Sequence, residues 1–402
     1  KMKDSGIEWI GEIPEGWSIA RGKHILTLLQ RAVFPTDGVI TCFRDGEVTL
    51  RSNRREDGFT VSLKEIGYQG IEPGDLVVHG MDGFAGSIGI SDSRGKSSPV
   101  LVVLDSSQDK KYLMYYLRSM AYNNVFLALS TGIRVRSCDL KWNKLADLLY
   151  LVPPIVEQHK LVSFLDEKCS EIDAMLSKTR ASIEEYKKLK QAVITQAVTT
   201  LNCPNVKLKY LMDIIVDCPH ETPIYTFTGN YLVIRTSDQS LASLRCDEYM
   251  YRLDEAEYKK RTRRLTLDKD DIVYGREGSW GLACLVPQSN KYCLGQRVMQ
   301  FRCNTRLLYP KYAMYALNSE TVYMQGALDT IGSTAPHVNI STICNYLLPV
   351  PALTEQKEIA DYLDAKCAEI DGLIAKKEQL VKELESYKKS LIYEVVTGKR
   401  KV

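Results

Sequence analysis

The sequence predicts a mixed α/β (α+β) fold: two similar globular domains separated by two long antiparallel coiled-coil helices, related by a pseudo-twofold internal repeat. Three observations predict it. Residues 153–199 are written a second time farther along the chain. Both copies carry an unbroken helical seam. The segments that precede the two copies share a set of short phrases while differing in their loops. A repeat of this length changes the reading of the whole chain.

A shift of 198 positions (355 − 157 = 198) places Glu157-Gln158 on Glu355-Gln356. It also places Leu165-Asp166-x-Lys168-Cys169-x-Glu171-Ile172-Asp173 on Leu363-Asp364-x-Lys366-Cys367-x-Glu369-Ile370-Asp371, and holds without a gap to Val198-Thr199 and Val396-Thr397. Apolar and long side chains recur in steps of four and three, with Leu165, Cys169, Ile172, Leu176, Thr179, Ile183, Tyr186 and Lys190 in the first copy. Leu363, Cys367, Ile370, Ile374, Lys377, Val381, Leu384 and Lys388 keep the beat in the second. Such an a/d seam, flanked by Glu and Lys, is the pattern of a coiled coil. Prolines open both copies (Pro153-Pro154 and Pro351) and Gly398 closes the second, as expected at helix starts and stops. A pair of surface helices packed on separate domains is the alternative, but two matching seams in one chain more simply bury each other. Leu165, Ile172, Leu176, Ile183, Leu363, Ile370, Ile374 and Val381 mark the two seams.

The expected division is 1–150 and 202–347 for the globular domains, and 151–201 and 348–402 for the helices. With 402 residues and 45% hydrophobic content there is apolar material for more than one core. No run of 18 apolar residues and no charged-then-apolar leader is found, so no membrane association and a cytoplasmic location are expected. Eleven cysteines without a Cys-x-x-Cys pair read as reduced, buried thiols. Cys218-Pro219-His220 is too tight for zinc, so no metal is expected. A net charge of +3 is a weak argument for a polyanionic partner, and clustering must carry that case.

In chain order, Ser18 to Leu29 reads as a short amphipathic stretch and Val39 to Leu50 as a hairpin turning on Asp45-Gly46. Gly74 to Gly80 and Val100 to Leu104 read as buried strands, and Lys111 to Tyr122 as a helix. The second half retraces this plan: Lys111-Tyr112-x-Met114-Tyr115 reappears as Lys311-Tyr312-x-Met314-Tyr315, and Asp75-Leu76-Val77 as Asp271-Ile272-Val273. A shared framework with divergent loops is what duplicated recognition modules need.

Catalytic motifs are missing. Gly89 to Ser97 superficially matches a phosphate-binding loop, but its spacer is one residue too long and Ser98-Pro99 blocks the helix that must follow. Leu151-Val152-Pro153-Pro154-Ile155 lacks the polar and aromatic residues with which an amino-methyltransferase holds a flipped base. No catalytic residue is assigned. What remains are cationic and hydrogen-bonding loop residues. In the first half these are Arg44, Arg51, Arg54, Arg55, His79, Asp82, Arg134 and Arg136. In the second they are Arg261, Arg263, Arg264, Arg276, Trp280, His337 and Asn339. Arginine pairs bidentately with guanine or phosphate, and Asn with adenine, so the inventory suits DNA reading. Solvated surface charge is the alternative at each position; occurrence in both halves, beside the most divergent loops, favours the DNA reading.

Glu12-Ile13-Pro14-Glu15-Gly16-Trp17, Asp271-Ile272-Val273-Tyr274-Gly275-Arg276-Glu277-Gly278 and the two Pro-to-Glu-Gln helix openings resemble the specificity subunits of type I restriction–modification systems. Asp217-Cys218-Pro219-His220-x-Thr222-Pro223 and Gly332-Ser333-Thr334 are similar to phrases of their recognition domains. The resemblance implies a non-catalytic subunit that binds double-stranded DNA through two target-recognition domains, each reading one half of a split, asymmetric site. It also implies docking of two methylation subunits and of restriction subunits. S-adenosylmethionine, ATP and Mg would belong to those partners, with no cofactor on this chain. One departure stands out: Met81-Asp82-Gly83 occupies the place of Arg276-Glu277-Gly278. A subunit serving a fused nuclease–methyltransferase, or a protein-only coiled-coil scaffold, remain the other readings. A helix from Glu157 to Thr199 would be roughly 65 Å long at about 1.5 Å per residue, against about 34 Å for one DNA turn, so the two domains are expected to address separate patches of one duplex.

Overall fold

The computed structural model describes residues 1–54, 65–128, 140–199, 202–278, 280–329 and 337–402. The chain divides into two compact units, 1–179 with 380–402, and 180–379. Each of the long helices, Ile155–Thr199 and Leu353–Val396, contributes to both units.

The first unit is built on a four-stranded antiparallel sheet in the order Leu26–Leu28, Leu101–Ser106, Leu76–His79, Ile88–Ile90. Leu76, Val77 and Val78 are all fully buried, because both faces of this strand are covered. The helix Lys110–Tyr122 lies among the residues of that core, and the Asp109 carboxylate caps it by accepting from the Lys111 and Tyr112 amides at 2.8 and 3.1 Å. The stretch from Ser18 to Leu29, expected to be one amphipathic piece, is two strands, Ser18–Arg21 and Leu26–Leu28, joined by a 3-10 turn.

The second unit repeats the plan. Its antiparallel sheet runs in the order Met212–Asp217, Val298–Cys303, Ile272–Gly275, Ala283–Leu285. Pro310 opens the equivalent helix, Pro310–Leu317. This unit adds a three-stranded mixed sheet in which Tyr231–Ile234 pairs in parallel with Tyr292–Leu294.

The repeated phrases turn out to be joints. Gln158 is buried, donates to the Pro153 carbonyl at 2.8 Å and accepts from the Asp109 amide at 3.0 Å. Gln356 does the same with the Pro351 carbonyl at 2.9 Å and the Tyr309 amide at 2.7 Å. Lys111 and Tyr115 both bind Asp166, at 2.6 and 2.8 Å, and Lys311 and Tyr315 both bind Asp364, at 2.5 and 2.8 Å. Each domain helix is thereby pinned to the long helix that follows it.

Within each unit the two long helices run antiparallel. In the second, Lys377 lies over the Tyr186 ring while Lys190 binds Asp371 at 2.8 Å, so one chain rises as the other falls. In the first, Lys388 binds Asp173 at 2.6 Å and Tyr112 donates to the Val396 carbonyl. The two ion pairs are images of each other under the 198-residue shift. The seam residues Leu165, Ile172, Leu176, Ile183, Leu363 and Ile370 are buried, and Ile374 and Val381 half-buried. They serve the chain's own core, so a partner docking along these helices would meet their other faces.

The described cysteines are free thiols. Burial pushes Cys42, Cys284, Cys293 and Cys303 up to about 12, which suits their use as small apolar side chains. Among the described residues no helix is long and apolar enough to cross a membrane.

Candidate nucleic-acid interface

In the first unit Arg44, Arg54 and Asp82 gather at the tip of the hairpin Ile40–Cys42 and Val48–Leu50, and Arg51 sits at its open end. The turn is longer than expected. Phe43 donates to the Glu47 carbonyl at 2.8 Å and Gly46 to the Phe43 carbonyl at 2.9 Å, leaving a three-residue loop, Arg44 to Gly46. Gly46 has φ +92°, the left-handed position that such loops reserve for glycine. Arg44 is exposed and binds Asp82 at 3.1 Å; exposed Arg54 binds Asp45 at 2.7 Å and lies over the Phe43 ring. Arg51 donates to the Thr41 hydroxyl at 3.3 Å. Arg118, which no sequence signal singled out because it sits mid-helix, donates to the Asp45 carbonyl and holds the loop from below. Arg55, Arg134 and Arg136 lie outside the described residues.

His79 ends the strand beneath this loop. Its Nδ1 accepts from the Asp82 amide at 3.0 Å and the Met81 amide at 3.3 Å, so the ring must be neutral to hold the turn. Burial holds His79 below its ordinary value of 6.5, with the Arg44 charge acting in the same direction and Asp82 against it. A folded value below the unfolded one means that this contribution is present above about 6.5 and is lost as the pH falls through the folded value. We expect the His79 ring to titrate by NMR with a midpoint below 6.5, and the Met81 and Asp82 amides to exchange faster once it is protonated. A midpoint above 6.5 would contradict this arrangement.

The second unit brings together three phrases far apart in sequence. Arg276 Nε lies 3.4 Å from the Asp217 carboxylate, and Nη2 reaches Glu277 at 2.5 Å. His220 binds the other oxygen of Asp217 at 3.0 Å. His337 forms an antiparallel bridge with Glu277, and the Val338 amide donates to the Arg276 carbonyl at 3.2 Å. The Cys218 thiol accepts from the Arg297 amide at 3.2 Å.

Other candidates are placed elsewhere. Arg261 is buried and donates to the carbonyls of Leu294, Glu221 and Pro219, which makes it a structural arginine that ties a loop to the core. Arg276 is also buried, closed in by its two carboxylates. Arg263 and Arg264 are exposed. Trp280 stacks on Tyr323 at 4.4 Å and lines a cavity of about 440 Å³ with Lys188, Gln191 and Asn318. Asn339 precedes the short helix Ile340–Cys344 without capping it through its side chain. Exposed Arg297, beside Arg276, was missed in sequence; the signal available was an arginine directly after Gly295-Gln296 where a buried strand begins.

Comparison with known proteins agrees with the sequence resemblance. Residues 217–383 match the family model described as type I restriction modification DNA specificity domain. The type I restriction enzyme EcoBI specificity subunit of Escherichia coli is 27% identical over 32% of this chain and 27% of its own length. The MjaVIII specificity subunit of Methanocaldococcus jannaschii is 27% identical over 36% of this chain and 35% of its own. These matches thus span only about a quarter to a third of the relatives' lengths. A protein of the same organism described as a type I restriction enzyme MjaX specificity subunit is 21% identical over 98% of this chain and 96% of its own. In fold, a chain from a structure of type I R-M complex assembly and conformational transition superimposes with a TM-score of 0.72 at 15% identity, covering 96% of this chain and 99% of that one. The HsdS subunit from Thermoanaerobacter tengcongensis gives 0.51 at 15% identity, covering 96% and 98%. Residues 217–383 thus match a type I restriction modification DNA specificity domain, and in fold nearly the whole chain is similar to an HsdS subunit.

Proposed function

We propose that this chain is the DNA-reading and assembly subunit of a restriction–modification complex, without catalysis of its own. Residues 1–150 and 202–347 would each read one half of a split, asymmetric DNA target, and the helical segments 151–201 and 348–402 would dock two methylation subunits and, through them, restriction subunits. Cofactor chemistry, methyl transfer from S-adenosylmethionine and ATP-driven steps with Mg, would lie on those partners. The observation that carries this reading is a framework repeated bond for bond, with the loops on it different. Asp166 and Asp364, Gln158 and Gln356, and the two interhelical ion pairs make the same contacts in both units. The loop Gly80 to Gly86 and the loop Arg276 to Gly281 share no such likeness. Duplicated scaffolds presenting unlike surfaces suit an unlike pair of half-sites.

The test is an exchange of residues 204–347 for the corresponding segment of another specificity subunit, followed by sequencing of methylated bases in cells holding the whole system. The modified sequence should change in one half and keep the other. A methylation pattern that stays unchanged in both halves would remove the assignment of that segment.

A further inference from the structure

We infer that Arg297 is the residue with which the second unit reads a guanine of its half-site, an inference that rests on the DNA-reading role proposed above. Arg297 has φ +73°, a left-handed backbone that side-chain-bearing residues rarely adopt. Strain of this kind persists where the surrounding structure enforces it, and it concentrates at functional sites. Here the enforcement is visible. The Arg297 amide donates to the Cys218 thiol at 3.2 Å, and its carbonyl accepts from the amides of Arg276 and Glu277 at 2.9 and 3.3 Å. The residue is fixed at the point where 217–220, 276–278 and 337–338 meet.

The duplicated unit shows that the fold does not need an arginine there. In the first unit the Gly80 amide donates to the Val100 carbonyl at 2.8 Å, the counterpart of the bond from Arg276 to Arg297. The flanking registers agree, since Leu101 faces His79 as Val298 faces Gly275. Val100 makes the bond without a left-handed backbone, as it is not among the residues of positive φ. Strain and charge at Arg297 are therefore additions of the second unit alone, placed where the two units should differ.

The surroundings select base over phosphate. Arg276 is buried against Asp217 and Glu277, and His220 is bonded to Asp217. Arg297 is exposed, and among the described residues no carboxylate or carbonyl accepts from its guanidinium. That group passes Gly278, whose φ is +70° and where an added Cβ would lie 3.7 Å from Arg297 Nη1. The carboxylates of Asp217 and Glu277 repel a phosphate but can accept from a cytosine amino group, while a guanidinium pairs bidentately with guanine O6 and N7. The combination fits a G·C pair presented in the major groove.

The experiment selects duplexes from a randomised library with the full-length chain, then measures affinity for the enriched sequence, using the wild type and Arg297→Val, Arg297→Gly and Arg297→Lys. The valine and glycine variants should lose roughly tenfold or more in affinity for the enriched duplex and become indifferent to one guanine in one half-site. The other half-site should be unchanged. The glycine variant should melt no lower than the wild type, because glycine adopts the left-handed backbone without strain, whereas β-branched valine is strained there and is expected to melt somewhat lower. Lysine, lacking the bidentate fork, should also lose the guanine preference. If glycine or lysine keeps both motif and affinity, or if the glycine variant melts early, the inference is overturned. A wild-type chain that enriches no sequence at all would instead overturn the DNA-reading role beneath it.

Discussion

A Gly89→Ala chain is expected to lose the hairpin tip of its first unit, the DNA-reading surface proposed there, while its second unit stays whole. Gly89 lies in the strand Ile88–Ile90 and is buried beneath the hairpin tip. A Cβ there would overlap the Gly46 carbonyl oxygen and come within 2.8 Å of a Val48 methyl. A backbone oxygen cannot rotate aside as a side chain does, and Gly46 is held from its other side by the Arg118 guanidinium. The tip must lift, carrying Arg44 away from Asp82 and Asp45 away from Arg54. The cost should be about 3 kcal/mol, the upper range for overpacking a well-filled site. It should appear as a lower denaturant midpoint for the first unit, together with loss of sequence preference in one half-site. An alanine variant with unchanged midpoint and unchanged preference would show that the hairpin does not rest on this strand.

Asp271→Ala should be at least as damaging to the second unit. The carboxylate is almost fully buried and accepts from Arg302 Nε and Nη2, both at 2.8 Å, from Gln300 Nε2 at 2.7 Å and from the Asp268 amide at 2.8 Å. Removing it leaves Arg302 with Asp268 at 2.7 Å and the Gln300 amide with the Thr266 carbonyl at 3.2 Å, so the loss should be about 3 kcal/mol, the lower end for breaking a buried pair. Asp75 plays the same part in the first unit, accepting from Arg31 and from the Glu72 amide at 2.8 Å. The arginine partners come from different places in the two halves, since Arg302 follows in the adjacent strand Val298–Cys303 and Arg31 precedes its aspartate by forty-four positions. Hydrogen exchange resolved by unit should show protection falling in 180–379 for Asp271→Ala and in the first unit for Asp75→Ala. A loss below about 1 kcal/mol in either would mean that water replaces the carboxylate, as at an exposed pair.

Much of this architecture was legible because it is local or repeated. Periodicity places the long helices, and the 198-residue shift identifies Gln158 and Gln356 as equivalent before their shared bonds are seen. Lys190 and Lys388 fall on the seam as apparent misfits, and the structure explains them: each reaches an aspartate across the helix pair. The arginines were not legible. Arg261 and Arg264 stand three positions apart in one basic cluster, yet one is buried on main-chain carbonyls and the other is exposed. Residue type does not report burial; long-range packing decides it. The hairpin tip was misread for a related reason. Asp45-Gly46 signals a two-residue turn, but the bond from Phe43 to Glu47 closes one residue further out. Arg297 escaped notice because a left-handed backbone has no signature when the residue is not glycine or asparagine.

The first unit is discontinuous, and this has a bearing on how the protein is made. Residues Leu391, Ile392, Val395 and Val396 lie in its core, Tyr393 donates to the Trp9 carbonyl at 3.0 Å, and Gly398, at φ +71°, sits against Pro14 and Trp17. Residues 1–179 leave the ribosome before 380–402 and must wait for them, while the contiguous span 180–379 can close in the meantime. A chain cut before residue 380 would leave a closed second unit tethered to an open first one, so the earliest-made unit is the last to close.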